Sequence, residues 1–168
     1  MLNHLNGLTA RLGGSNHLID GWLNARRQLL VSYYQAVGIK PQKAAWTALD
    51  DEALDSFCHN LVDYLSTGHF SIYERLIAGI QADNPLSTAT QIYPALERNT
   101  ETLMNLYDSH LANAINDDNC IEFQQALSEV GETLEARFTL EDALIQLAFD
   151  FNLAPGGAAN ESELNRPA

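Results

Sequence analysis

The chain has 168 residues, 46 % of them hydrophobic, and its nine Lys and Arg stand against 22 Asp and Glu for a net charge of −13. That length suits one domain whose core is large enough to fold without disulfides or metal. The charge argues against direct binding to the nucleic-acid backbone, which needs a basic surface, and favours a basic protein partner. The acids are unevenly spread: between Lys43 and Arg75 there are six acids and no base, and between Arg98 and Arg137 eight acids and no base. A negative field over both stretches follows. Only Cys58 and Cys120 are present, each in an apolar helical pattern without a Cys-x-x-Cys partner, which predicts two reduced, structural thiols. The N-terminus lacks a basic segment followed by an apolar core, and no run of about 18 apolar residues occurs, so a soluble cytoplasmic protein without membrane contact is expected.

In chain order, Leu2, Leu5, Leu8 and Leu12 make a short helical pattern that Gly13-Gly14 stops. Ser15 or Asn16 can cap the next helix, predicted over 16–37, with Leu18, Trp22, Ala25, Leu29 and Tyr33 on one line and Ile19, Arg26 and Leu30 beside it. Gly38 and Pro41 end it, and Trp46 is read as an anchor in the connection that follows. A helix over 51–66 carries Leu54, Phe57, Cys58, Leu61, Val62 and Leu65 at three-and-four spacing, with Asp55, His59 and Asp63 four apart on another side. Gly68 is expected to take the left-handed conformation that ends this helix. A second apolar set, Phe70, Tyr73, Leu76, Ile77 and Ile80, then starts another helix beyond a sharp corner.

Asp83-Asn84-Pro85 signals a turn, and Leu86 to Tyr93 are read as a short helix before Pro94. Pro94 fits the first turn of a helix over 94–115, where its missing amide costs no hydrogen bond; its stripe is Leu96, Leu103, Leu106, Tyr107, Leu111 and Ala114. Asn116-Asp117-Asp118 breaks the pattern and supplies a cap. The last helix, over 119–150, carries Ile121, Leu127, Val130, Leu134, Phe138, Ile145 and Phe149, and Gly131 on that line permits close helix packing. Residues 1–153 are therefore expected to form a single all-α helical bundle. Residues 154–168, rich in Gly, Ala, Asn, Ser and Glu, are expected to be a disordered tail.

Enzyme motifs are absent: the chain has no phosphate-cradling GxxxxGK[ST], no GxGxxG, no HExxH and no GxSxG. Gly13-Gly14-Ser15 reads as a helix break and cap. A second class of function stays open in Asp55, His59 and Asp63, three possible ligands on one helical face that would serve a metal-binding protein or enzyme. Carboxylate-bridged dimetal bundles, however, use Glu-x-x-His on two helices, and that spacing does not occur around His59, His69 or His110. No cofactor, metal or catalytic residue is assigned. Among the six tyrosines Tyr64 stands out, because it follows Asp63 and lies off the Leu61/Leu65 line. A half-buried phenol beside a carboxylate suits an interface hot spot.

The stretch LVDYLSTGHFSIYERL resembles the Rsd/AlgQ family of anti-sigma factors. SNHLIDGWLNARRQLLVSYYQAVGIKP, IYPALERNTETLMNLYDS and IEFQQALSEVGETLEARFTLEDALI resemble other family segments, so the likeness runs from Met1 to about Phe151. It implies a four-helix core with short N-terminal and connecting helices. It also implies binding to the C-terminal promoter-reading domain of the primary (RpoD-type) sigma factor, blocking contact with core RNA polymerase and promoter DNA and favouring sigma replacement. By the same resemblance Asp63, Tyr64, Ser66, His69, Phe70 and Tyr73 are carried over as a partner-binding signature, with Asp63 the strongest candidate because an exposed carboxylate can meet an Arg bidentately.

Overall fold

The computed structural model describes residues 17–38, 48–68, 72–76, 89–116 and 118–152. Among these residues the chain is helical and no strand occurs. Four long helices form the core: α1 (His17–Val37), α2 (Ala48–Thr67), α3 (Ala89–Leu106), continued by a π turn (Tyr107–Leu111), and α4 (Cys120–Asn152). α1 packs chiefly on α2 and α3 on α4, and the two pairs join where α1 meets α4. The expected N-terminal helix, the caps at Ser15 and Asn16, Trp46, the 83–85 turn and the tail lie outside the described residues.

The three-and-four spacing explains each element. On α1, Ile19, Trp22, Leu23, Leu29, Leu30, Tyr33 and Ala36 are buried, and the helix closes where the Gly38 amide donates to the Tyr34 carbonyl at 3.0 Å. On α2 the buried stripe is Leu54, Phe57, Cys58, Leu61, Tyr64 and Leu65, while Val62 is half-buried. The stripe is thus rotated toward Tyr64 from the one expected. The short helical turn at 72–76 buries Ile72, Tyr73 and Leu76. Cys58 and Cys120 are both free, the first buried and the second half-buried. Burial and the nearby Asp55 charge push the Cys58 thiol up to about 11.

The third helix departs most from its expected form. It starts at Ala89, so Pro94 stands inside it rather than in its first turn. A proline there clashes with, and leaves unbonded, only the carbonyl four residues earlier, close to the helix start. Burial of Ile92 on the near side of Pro94 holds the added turn against the core. At its other end the helix does not run to 115: the Ala112 amide reaches back to the Tyr107 carbonyl at 2.9 Å, the signature of a π turn. The wider turn advances each residue by a smaller angle than an α-helix does, which returns Leu111 to the buried face of Leu103 and leaves Ala114 exposed. The break that follows is tied by Asn116, whose side-chain oxygen accepts the amides of Asp118 and Asn119 at 3.0 and 3.1 Å.

α4 buries Phe123, Leu127, Val130, Leu134, Phe138, Leu144 and Ile145, but Ile121, placed on this stripe by its spacing, is exposed in the first turn. Gly131 acts as expected. The Tyr33 hydroxyl from α1 crosses its face to donate to the Leu127 carbonyl at 3.0 Å, and a Cβ at position 131 would overlap that hydroxyl. Gly68 serves a similar end rather than the expected left-handed cap: its backbone is not left-handed, and an added Cβ would stand 2.8 Å from the Tyr73 hydroxyl. Both glycines are places where a tyrosine passes close to a backbone.

Candidate functional site

The signature corner at the end of α2 divides into an outer and an inner half. Asp63 and Ser66 are exposed, and Asp63 Oδ2 lies 3.4 Å from His59 Nε2, one helical turn back, with both side chains largely in solvent. Tyr64 and Tyr73 point inward and are buried, Tyr64 at 4 % exposure, so the half-buried phenol expected at the surface is a core residue. His69 and Phe70 lie outside the described residues. Asp55, His59 and Asp63 share a face of α2 without converging, and among the described residues no group of three or more His, Cys, Asp or Glu is placed to hold a metal ion.

Tyr64 and Tyr73 are drawn inward by a buried polar network centred on Glu141 of α4. Glu141 Oε2 accepts the Tyr64 hydroxyl at 2.5 Å and Arg26 Nη2 at 3.1 Å; Oε1 accepts the Tyr73 hydroxyl at 2.5 Å and Arg137 Nε at 3.1 Å. The phenols accept in turn. Trp22 Nε1 donates to the Tyr64 oxygen at 2.9 Å, and Arg137 Nη2 to the Tyr73 oxygen at 2.7 Å. Arg26 Nη1 reaches Asp142 at 2.5 Å, and Arg137 Nη1 reaches Thr100 at 2.9 Å and Asn99 at 3.2 Å. Asn99 passes the chain on to the Thr133 carbonyl at 2.8 Å.

Two guanidiniums face two carboxylates, so the cluster balances its formal charge inside the bundle, where an unpaired ion would cost several kcal/mol. Aromatic faces complete the enclosure. The Arg26 guanidinium lies 4.7 Å from the Phe138 ring centre, and that of Arg137 lies 5.6 Å from the Tyr73 ring centre. Burial foremost, and then the Glu141 charge, push the Tyr64 and Tyr73 hydroxyls above the usual phenol range, so both remain donors through neutral pH. For Arg26 burial opposes the charge, but Tyr64, Glu141 and Asp142 outweigh it and hold the guanidinium more firmly protonated than usual.

The arrangement is a structural lock: Glu141 accepts from two phenols and two guanidiniums, and among the described residues Arg26, Arg137 and Glu141 are all buried. It holds the corner in shape from within, placing Asp63 and Ser66 on its outer side. Sequence reasoning set Arg26 beside Ile19 and Leu30 without a partner, and missed Arg137 and Glu141. Their signal was an Arg in the line of Leu29 and Leu30, and an Arg–Glu pair four apart between Leu134 and Leu144. Outside the lock, the exposed side of α2 bears Asp51, Asp55, His59 and Asp63 at successive four-residue steps.

Comparison with known proteins adds the family. The sequence profile described as "Regulator of RNA polymerase sigma(70) subunit, Rsd/AlgQ" matches residues 1–149. A protein named "Regulator of sigma D" from Enterobacter sp. (strain 638) is 58 % identical over 168 residues, covering 100 % of both chains. A protein of the same name from Pectobacterium carotovorum is 60 % identical over 152 residues, 89 % of this chain and 99 % of its own length. One from Salmonella arizonae is 58 % identical over 150 residues, 89 % of this chain and 93 % of its own. Among the described residues no helix is long and apolar enough to cross a membrane.

Proposed function

The chain belongs to the Rsd/AlgQ family of regulators of the RNA polymerase sigma(70) subunit, and from that membership we propose that it is an anti-sigma factor without catalytic activity. It binds the C-terminal promoter-reading domain of the primary sigma factor in the cytoplasm and keeps that domain from core polymerase and promoter DNA. Housekeeping transcription falls, and replacement by other sigma factors is favoured. The observation that carries this reading is the acidic outer side of α2, with Asp51, Asp55 and Asp63 exposed and no base between residues 44 and 74. A domain that reads DNA through a helix-turn-helix is basic on its reading face, and an acidic helix can occupy it in place of phosphate. The protein itself, at −13, makes no direct contact with nucleic acid.

Of the signature residues, Asp63 and Ser66 supply outward contacts, Tyr64 and Tyr73 fix the corner from inside, and His69 and Phe70 are carried over from the family signature as partner-binding residues. The test is titration of the full chain against the intact primary sigma subunit at several salt concentrations. Asp63→Ala is expected to weaken binding by about 2 kcal/mol, as for loss of one partner of a desolvated ion pair, with helicity unchanged. Added salt is expected to slow association more than it speeds dissociation. Unaltered affinity and unaltered salt dependence in a folded Asp63→Ala protein would remove Asp63 from the interface, and failure of the wild-type chain to bind sigma would overturn the proposal.

A further inference from the structure

A groove of about 530 Å³ lies between the first half of α2 and the π turn that follows α3. Its floor is apolar, with Leu54, Cys58 and Leu111 buried and Tyr107 half-buried beside them. Its rim is acidic: Asp51, Glu52 and Asp55 are exposed along the α2 edge, and Ala112 marks the opposite edge. Among the described residues none of these three carboxylates is tied up in an ion pair, in contrast to Glu141 and Asp142. The groove also marks the place where the two base-free stretches of the chain meet, 44–74 forming one wall and 99–136 the other. The Asp55 charge reaches the floor, where it adds to burial in raising the Cys58 thiol.

An apolar trough with anionic edges is complementary to a side chain with a long apolar stem and a cationic head, since Lys and Arg lay their methylenes on apolar surface and keep the charge at its border. The volume exceeds what one such side chain fills and lies within the range of built binding clefts. The position is informative as well. Asp55 and Asp63 are eight residues apart on one helix, roughly 12 Å along its axis, so a single docked partner spans both. We propose that this groove is a docking point for the sigma subunit beyond the Asp63 corner, taking one turn of a basic amphipathic helix. Its Arg or Lys stem rests on Leu54 and Tyr107, and its charge meets Asp51 and Asp55. This rests on the sigma-binding reading above, and it adds a second anchor to the same surface.

The experiment uses the full chain and the intact primary sigma subunit, with binding rates measured at low and physiological salt. The Asp51→Asn/Asp55→Asn double variant removes two charges from exposed positions and disturbs no buried atom. Ala112→Trp plugs the groove from its exposed edge. The double variant is expected to bind at least about fivefold more weakly, with a flatter salt dependence, and Ala112→Trp at least about tenfold more weakly at every salt concentration. Combined with Asp63→Ala, the losses are expected to multiply, as for separate anchors. If both groove variants bind sigma as the wild type does while Asp63→Ala weakens binding, the groove is no part of the interface and the anti-sigma reading stands. If the wild-type chain does not bind sigma, both fall together.

Discussion

Glu141 and Asp63 are both carboxylates on long helices, and the fold treats them in opposite ways. Glu141 is fully buried and shared by two guanidiniums and two phenols, whereas the Asp63 side chain is 69 % exposed and has one imidazole nearby. The difference lies in what each neighbourhood has already supplied. A buried carboxylate must find its counter-charges within the chain, because water cannot reach it, and once they are found it has nothing left to offer a partner. An exposed carboxylate on an acidic helix keeps its hydrogen-bonding capacity, and its field, for something outside. In this molecule the tyrosine that neighbours Asp63 in sequence belongs to the first class and Asp63 to the second.

The comparison breaks most visibly at its buried end. Glu141→Gln leaves Arg26 facing Asp142 alone and takes away the carboxylate that pairs with Arg137, and is expected to lower the unfolding free energy by about 3 kcal/mol or more in urea titration. A loss below about 1 kcal/mol would mean that water reaches the guanidiniums and that the lock is not closed. Alkaline pH tests the same region more gradually. Tyr64 and Tyr73 are held protonated in the fold above the ordinary phenol pKa of about 10, so their contribution is fully present below that value and is lost as pH rises above it. Stability is expected to fall by about 1.4 kcal/mol per pH unit for each of the two, and Tyr64→Phe should remove one share of that slope. Ultraviolet titration checks it: both phenols should ionise only as the chain unfolds.

At the exposed end the expected effect is smallest. His59→Ala deletes the Asp63 neighbour and should change stability by less than about 0.5 kcal/mol, since an exposed ion pair gains little in water. A larger loss in thermal or urea unfolding would place His59 and Asp63 in the fold rather than on its surface.

Much of the architecture was legible because apolar spacing reports burial directly. Leu54, Phe57, Leu61 and Leu65 announced α2, Leu127, Val130 and Leu134 announced α4, and Gly131 announced a close crossing. The misses have a common cause. Periodicity sorts residues by polarity, so Arg137 and Glu141 were assigned to no core and Arg26, set beside Ile19 and Leu30, was given no buried partner, although the three are 0 %, 0 % and 1 % exposed. Tyr64 was displaced to the surface by the same rule, since the partners that satisfy its hydroxyl come from α1 and α4, 38 to 77 residues away in sequence. Pro94 and the π turn at Tyr107–Leu111 were misread because tertiary burial of Ile92 and Leu111 overrides the local preference for where a helix starts and stops. The outward face of α2 was legible from the four-residue spacing of Asp55, His59 and Asp63, all three exposed. The groove was not, because its second wall lies about 50 residues further along the chain.

The Glu141 lock also sets how the molecule opens. Its members come from α1, α2, the 72–76 turn, α3 and α4, so lifting any one of these away strands a charge or a charged partner in the low-dielectric interior. Partial opening is therefore costly, and the helices the network joins are expected to unfold as one cooperative unit instead of as separable hairpins. The described helices of such a regulator are expected to offer a protease no inexpensive half-open form. Cleavage within these helices is then expected to follow global stability rather than fraying at one end of the bundle.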